Sequence, residues 1–236
     1  MAKGKLFLIP TIISEDTQNE VIPPHVKSAI QELDYFLVEN LRSSRRYISS
    51  LGLNKTIEDL RFEVLDKNTT GRQLQELMQG LFDGVCIGVI SEAGCPGIAD
   101  PGALAVEFAH RHDIQVVPLV GPSSILMALM SSGFNGQSFA FHGYLPFDKT
   151  SRLQKIKSME ADAYRNMQTQ IFMDTPYRNK SLADDLLSTC RPDSRLCIAR
   201  DITGKKEMVK TKTIRQWKSA NLPDLHKIPA IFALYC

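Results

Sequence analysis

Residues 91 to 102 read SEAGCPGIADPG, with three glycines, two prolines and two carboxylates in twelve positions. An apolar run, GVCIGVI, precedes this stretch and a helical pattern, GALAVEFAHRH, follows it. It is therefore a strand-to-helix loop, unusually long and built from small side chains. Glycine and small residues allow a ligand to approach main-chain N–H and C=O groups directly. The chemistry such a loop offers is recognition by bare backbone, and two more segments offer the same at strand ends: VGPSS at 120–124 and MDTPYR at 173–178. In GPSS, Pro122 suits the first position of a helix, leaving the N–H groups of Ser123 and Ser124 to receive an anion, or simply to be capped as a tight turn.

The elements that must position these loops follow from periodicity. Strand-like runs KLFLIP, YFLVEN, RFEVLD, VCIGVIS and IQVVPLV alternate with helical patterns over the first half. Val26, Ile30 and Leu33 share a face behind Pro23 and Pro24, and Leu74, Leu77, Met78 and Leu81 share another that Gly84 closes. Such alternation predicts a mainly parallel, doubly wound sheet over residues 1–117. From 122 to 236 the strands SFAFHGYLP, QTQIFMD, RLCIARD, MVKTKT and IPAIFALY follow with shorter links. That predicts a second α/β lobe with a mixed sheet. The lysines of GKKEMVKTK mark an exposed strand edge.

Composition narrows the classes. The 236-residue chain has a net charge of +2, with 43% hydrophobic and 23% charged residues. It is nearly neutral, so any polyanion must meet a local positive patch. Cys86, Cys95, Cys190, Cys197 and Cys236 form no C-x-x-C pair, and an odd number suits reduced thiols in a cytoplasm. No apolar run reaches the roughly 18–20 residues that span a bilayer. The expectation is a cytosolic protein without a metal site and without a membrane role. The P-loop, the G-x-G-x-x-G turn and the G-x-S-x-G elbow are all absent, which removes the commonest nucleotide-binding and hydrolase arrangements. His110 and His112 face different directions on a helix, His142 reads either as lining a cleft or as a hydrogen-bonded structural residue, and Cys95 lacks a base partner and reads as packing.

Three segments in close succession carry a resemblance: VISEAGCPGIADPG, VVPLVGPSSILMALMSSGF and FAFHGYLP. They resemble the tetrapyrrole methylase-like superfamily of S-adenosylmethionine-dependent methyltransferases, and within it the ribosomal small-subunit RNA 2′-O-ribose methyltransferase I family. The family pattern runs S-D-A-G-x-P-x-I-x-D-P-G, then P-x-P-G-x-x-A, then G-F-L-P. The resemblance implies a two-lobed, usually dimeric fold with S-adenosylmethionine in the cleft between lobes. It implies cofactor contacts at Ile13, at Ala93, Gly94, Cys95 and Ile98, at Ser123 and Ser124, and at Met173, Asp174 and Ile202. For a ribose hydroxyl acceptor, Glu92, Asp100 and Glu39 are the candidate bases; the first two are equally able to orient their own loop.

A basic path accompanies them. Arg42, Arg45 and Arg46 fall on one helical face, and Lys149 and Arg152 follow GYLP, where the family also places basic residues. These are the expected contacts to ribosomal RNA or the small subunit. The first loop departs from the family's P-T-P-I-G-N: it reads PTIISED, and Glu15 and Asp16 would repel a phosphate. The expected activity is methyl transfer to a ribose of small-subunit ribosomal RNA. Methylation of a tetrapyrrole or other small molecule, and cofactor binding without catalysis, are the alternatives.

Overall fold

The central strands of the first half are apolar at every position because helices cover both of their faces. In the computed structural model, which describes residues 2–236, the first unit runs to Ser123 and the second from Ser124 to Cys236. The first unit contains β1 (Leu6–Ile9), α1 (Gln18–Val21), α2 (Pro24–Gln31), β2 (Tyr35–Val38), α3 (Leu41–Ser50), β3 (Arg61–Val64), α4 (Gly71–Met78), β4 (Ile87–Ile90), α5 (Gly102–Arg111) and β5 (Val116–Pro118). The sheet order is β3-β2-β4-β1-β5 and every pairing is parallel.

Side-chain parity divides the core. Ile9, Phe36, Val38 and Ile90 face Val26, Ile30, Tyr47 and Ile48 of α2 and α3. Leu6, Leu37, Ile87 and Val89 face Met78, Ala105 and Ala109 of α4 and α5. Each fully buried large side chain of this kind contributes about 1.5–3 kcal/mol. The chain thus leaves β1 and β2 toward one face and leaves β4, which lies between them, toward the other. Divergent exits of this kind open a crevice at the carboxyl ends of the strands, where α/β sheets bind ligands. Local signals fix the helix ends: Asn40 Oδ1 accepts from the N–H groups of Arg42 (2.9 Å) and Ser43 (3.3 Å) at the start of α3.

The second unit contains α6 (Ser124–Ser132), β6 (Phe139–Tyr144), α7 (Lys149–Asn166), β7 (Thr169–Met173), α8 (Asn179–Thr189), β8 (Arg195–Arg200), β9 (Met208–Thr213), α9 (Ile214–Ser219) and β10 (Ala230–Tyr235). Its sheet, β6-β7-β10-β8-β9, is mixed: β6 and β7 run parallel and the remaining pairs antiparallel. Helices α7, α8 and α9 cover one face, packing Ile156, Leu182 and Trp217 on Phe172, Ile198 and Phe232. The Trp217 indole N–H donates to the Leu196 carbonyl at 2.8 Å, so the one polar atom of that buried ring is satisfied. Strand β9 is an edge, with Lys210 exposed on it, as the lysine pattern predicts. Among the described residues no helix is long and apolar enough to cross a membrane.

Candidate active site

The three loops at the carboxyl ends of β1, β4 and β5 are tied to one another through backbone. Thr11 N–H donates to the Gly94 carbonyl at 2.8 Å, and the Tyr47 hydroxyl donates to the Pro10 carbonyl at 2.7 Å. The Cys95 thiol donates to the Pro122 carbonyl at 3.4 Å. Two glycines make this possible. Gly94 sits at φ +72°, where side chains are strained, and a Cβ on Gly121 would lie 2.1 Å from Pro10 Cβ. Burial, and then the charge of Asp100, push the Cys95 thiol up, so it stays protonated and packs rather than attacks.

A cavity of about 320 Å³ opens beside the first of these loops, lined by Thr11, Ile13, Ser43, Tyr47, Ser91 and Glu92 among others. Glu92 is exposed here and its Oε1 accepts from the Ser43 hydroxyl at 2.5 Å. Glu39 accepts from the Glu92 backbone N–H. Burial raises the Glu39 carboxyl, the charges of Asp100 and Glu92 raise it further, and the bond from Glu92 opposes them. Glu39 lines a separate cavity of about 10 Å³ with Ser91, Asp100 and Gly102. Asp100 is fully engaged: Oδ1 accepts from Gly97 N–H (2.8 Å) and Gly102 N–H (2.7 Å), and Oδ2 lies 3.0 Å from Gly97 N.

In the second unit Met173 ends β7 and Asp174 begins the loop to α8. Asp174 is 5% exposed; its Oδ1 accepts from Thr175 N–H at 2.7 Å and from both Nε and Nη2 of Arg178. Its Oδ2 is buried without a partner, as is Thr203 Oγ1 in the β8–β9 turn beside buried Ile202. Native proteins leave few buried polar atoms unpaired, and each one has a reason.

No family model matches the chain. Curated relatives do. A ribosomal RNA small subunit methyltransferase I of Thermotoga maritima is 30% identical over 200 residues, 85% of this chain and 84% of the relative. The chain belongs to the ribosomal RNA small subunit methyltransferase I family. By that membership it is a methyltransferase. A Buchnera aphidicola relative of the same name is 27% identical over 221 residues, 92% of this chain and 74% of its own. One from Halalkalibacterium halodurans is 30% identical over 187 residues, with 60% of its length matched. Solved structures show the fold. Diphthine synthase superposes with TM-score 0.67 at 13% identity, covering 98% of this chain and 90% of its own. The methyltransferase CobJ does so with TM-score 0.61 at 15% identity, covering 98% and 94%. The fold is that of the tetrapyrrole methylases.

The residues expected from this family's pattern fall in different places. Ala93 and Ile98 are exposed on the central loop, Gly94 is buried within it, and Ser123 and Ser124 are half-buried. Helix α6 starts at Ser124, two residues past Pro122, so the proline is not its first residue. Two expectations, for Arg152 and Glu15, need correction. Arg152 is not an RNA contact: it is 6% exposed, pairs with Asp185 at 2.7 Å and donates to the Phe147 carbonyl at 2.8 Å. Arg42, Arg45 and Arg46 are all exposed on α3; Arg45 stacks 5.3 Å over Phe62 and Arg46 pairs with Glu15 at 2.9 Å. Arg42 is exposed at the start of α3, and Lys149 is exposed, 3.9 Å from Asp185. Asp100 orients its own loop by accepting from the Gly97 and Gly102 N–H groups. Glu15 does not stand as a bare repelling charge, since Arg46 accompanies it. Sequence reasoning missed Ser43, Tyr47 and Thr203; only the Asn40 cap, which fixes where Ser43 sits on α3, was legible.

Proposed function

We propose that the chain transfers a methyl group from S-adenosylmethionine to a ribose 2′-hydroxyl of small-subunit ribosomal RNA. The observation that carries the reading is the backbone-stitched loop set at the divergent exits of β1 and β4, beside a cavity with a carboxylate on its wall. Ala93, Gly94, Cys95, Ile98 and Ser123 are the proposed cofactor contacts of the first unit, with Ile13 on the cavity. Ser124, Met173, Asp174 and Ile202 are those of the second. The fit rests on exposed peptide groups for a carboxylate and ribose, and on the unpaired Asp174 Oδ2 and Thr203 Oγ1 for a ligand with polar edges.

Bound S-adenosylmethionine supplies an electrophilic methyl on a sulfonium, so the protein's share is alignment and proton removal. Of the three candidate carboxylates only Glu92 lines the larger cavity. Glu92 is the proposed base: it would take the hydroxyl proton, while the sulfonium would give up its methyl with cleavage of the carbon–sulfur bond and leave as a neutral thioether. Ser43 holds one of its oxygens, Glu39 holds its backbone, and Asp100 holds the loop. Arg42 and Lys149 remain as exposed cations for phosphate. Membership of the family also supports a cytoplasmic, homodimeric enzyme.

The test is transfer of labelled methyl to small ribosomal subunits, followed by alkaline hydrolysis. Label in an alkali-stable dinucleotide is the expected result, because a 2′-O-methyl ribose blocks cleavage of the next phosphodiester. Label on a base, or on a non-nucleic acceptor only, would overturn the ribose assignment. Glu92→Gln should lower turnover without changing cofactor affinity.

A further inference from the structure

The near-neutral charge of the whole chain conceals two opposite halves. Residues 1–123 carry 11 Lys and Arg against 16 Asp and Glu, a net −5; residues 124–236 carry 17 against 10, a net +7. Exposed aromatic rings divide the same way. The exposed large apolar residues of the first unit are all aliphatic, whereas Phe139, Tyr144, Phe147, Tyr164 and Tyr177 all belong to the second. Positive charge interleaved with exposed rings is the surface that single-stranded nucleic acid binds, with phosphates on the cations and bases stacked on the rings.

Topology brings part of this set to one place. Strand β7 runs parallel to β6 and, through antiparallel β10, parallel to β8. The carboxyl ends of β6, β7 and β8 and the start of β10 therefore share one edge of the second sheet. Tyr144 ends β6, Phe147 lies in the β6–α7 loop, Tyr177 in the β7–α8 loop, Lys206 in the β8–β9 turn, and Lys227 just ahead of β10. These loops are joined: Leu145 N–H donates to the Met173 carbonyl (3.4 Å) and Lys227 N–H to the Pro176 carbonyl (3.2 Å). The register slips between Phe141 and Tyr144, with Gly143 at φ +64°, and a bulge of this sort re-aims the residue that follows it.

The rings have both exposure and charge. Phe147 is 82% exposed, Tyr177 73% and Tyr144 58%. The Arg178 guanidinium sits 4.9 Å from the Phe147 centroid, and the Lys227 ammonium 5.7 Å from that of Tyr177. Burying three such rings in solvent-free packing is what a globular core would do; here they remain outside, two of them beside cations. Lys149 opens α7 at the same edge with its side chain 73% exposed.

We propose that this edge of the second sheet is the docking platform for unpaired RNA. Bases stack on Tyr144, Phe147 and Tyr177, and phosphates meet Lys149, Lys206 and Lys227. The platform rests on the RNA-methyltransferase reading and moves the substrate's main contact from the α3 arginines to the second unit.

The experiment measures anisotropy of a fluorescent single-stranded RNA of about a dozen nucleotides with the full chain, across a salt series. Phe147→Leu with Tyr177→Leu keeps apolar volume but removes the stacking faces, and should weaken binding at least about tenfold. Lys149→Gln with Lys206→Gln should lower the slope of log affinity against log salt by about 0.7 for each phosphate left without its lysine. Cofactor affinity by calorimetry should not change in either variant, which excludes misfolding. If the native chain binds and methylates RNA while both variants bind it equally well, the platform is wrong and the activity stands. If the native chain binds no RNA and methylates another acceptor, both fall. If the aromatic variant instead loses self-association in sedimentation with RNA affinity intact, the rings belong to an interface between copies and the platform is overturned.

Discussion

The loops of the first unit and those of the second solve the same problem with different atoms. At the carboxyl ends of β1, β4 and β5, each tie has a main-chain partner: Thr11 N–H on the Gly94 carbonyl, Gly97 and Gly102 N–H on Asp100, and the Tyr47 hydroxyl on the Pro10 carbonyl. At the carboxyl ends of β6, β7 and β8 the ties come from long charged side chains, Arg152 on Asp185 and Arg178 on Asp174. The two aspartates show the contrast. Both oxygens of Asp100 lie against loop N–H groups, whereas Asp174 keeps one buried oxygen without a partner. Backbone-built loops leave room for a small ligand to reach peptide groups. Side-chain-built loops leave bulky rings and cations outward, which suits a large polyanion.

That comparison can be broken first at Arg152. Arg152→Ala strands the Asp185 carboxylate in the interior, and removing one partner of a buried pair costs about 3–5 kcal/mol. Denaturant unfolding should show this loss, and the paired change Arg152→Met with Asp185→Leu should recover much of it. A loss below about 1 kcal/mol would mean that the side chain is not structural, and would return it to the RNA surface.

Gly94→Val tests the backbone side. Strain at φ +72° costs about 1–3 kcal/mol, and the branched side chain also occupies the approach to the loop. Calorimetry should show S-adenosylmethionine affinity falling at least about tenfold, well beyond the change in stability. Unchanged affinity would remove the loop from the cofactor site.

Glu39→Gln gives a smaller effect whose sign is fixed. Burial and the neighbouring carboxylates hold the folded-state value of Glu39 above its unfolded value. Between the two values the folded state therefore binds more protons than the unfolded one, so stability falls as pH rises through that window and the full penalty is present at neutral pH. Glutamine removes the charge and can still accept the Glu92 N–H. The melting temperature should rise at pH 7, and the gain should fade as pH falls toward about 4, near the unfolded carboxyl value. A gain that persists unchanged in acid would show that charge is not its cause. The smallest effect belongs to Arg46→Ala. Its pair with Glu15 is 73% and 78% exposed, and such pairs contribute about 0–1 kcal/mol, so unfolding midpoints should nearly coincide.

Much of this was legible in one dimension. Local rules located the elements: alternation of strand and helix, Pro24 at the start of α2, Gly84 at φ +86° closing the 3-10 turn Gln79–Asp83 that follows α4, and lysine on the edge strand β9. The central loop declared itself by composition, since only glycine and small residues permit backbone to be approached closely. What failed were assignments that depend on distant partners. Arg42, Arg45 and Arg46 share a helical face by spacing, which does not show that Phe62 from β3 and Glu15 from the first loop engage two of them. Arg152 looks like a solvent-facing cation in sequence; Asp185, more than thirty residues on, buries it.

By itself the sequence determined the two α/β patterns, the backbone-lined loop and the family's chemistry, because periodicity, turn geometry and small-residue runs are local properties that each segment carries with it. Only the tertiary structure decided which carboxylate reaches a cavity, which cation is spent in an ion pair, and that the exposed rings at the ends of β6 and β7 share an edge with positive charge. Those outcomes depend on strand order and parity, which bring together residues far apart in the chain, and no spacing along the chain encodes them.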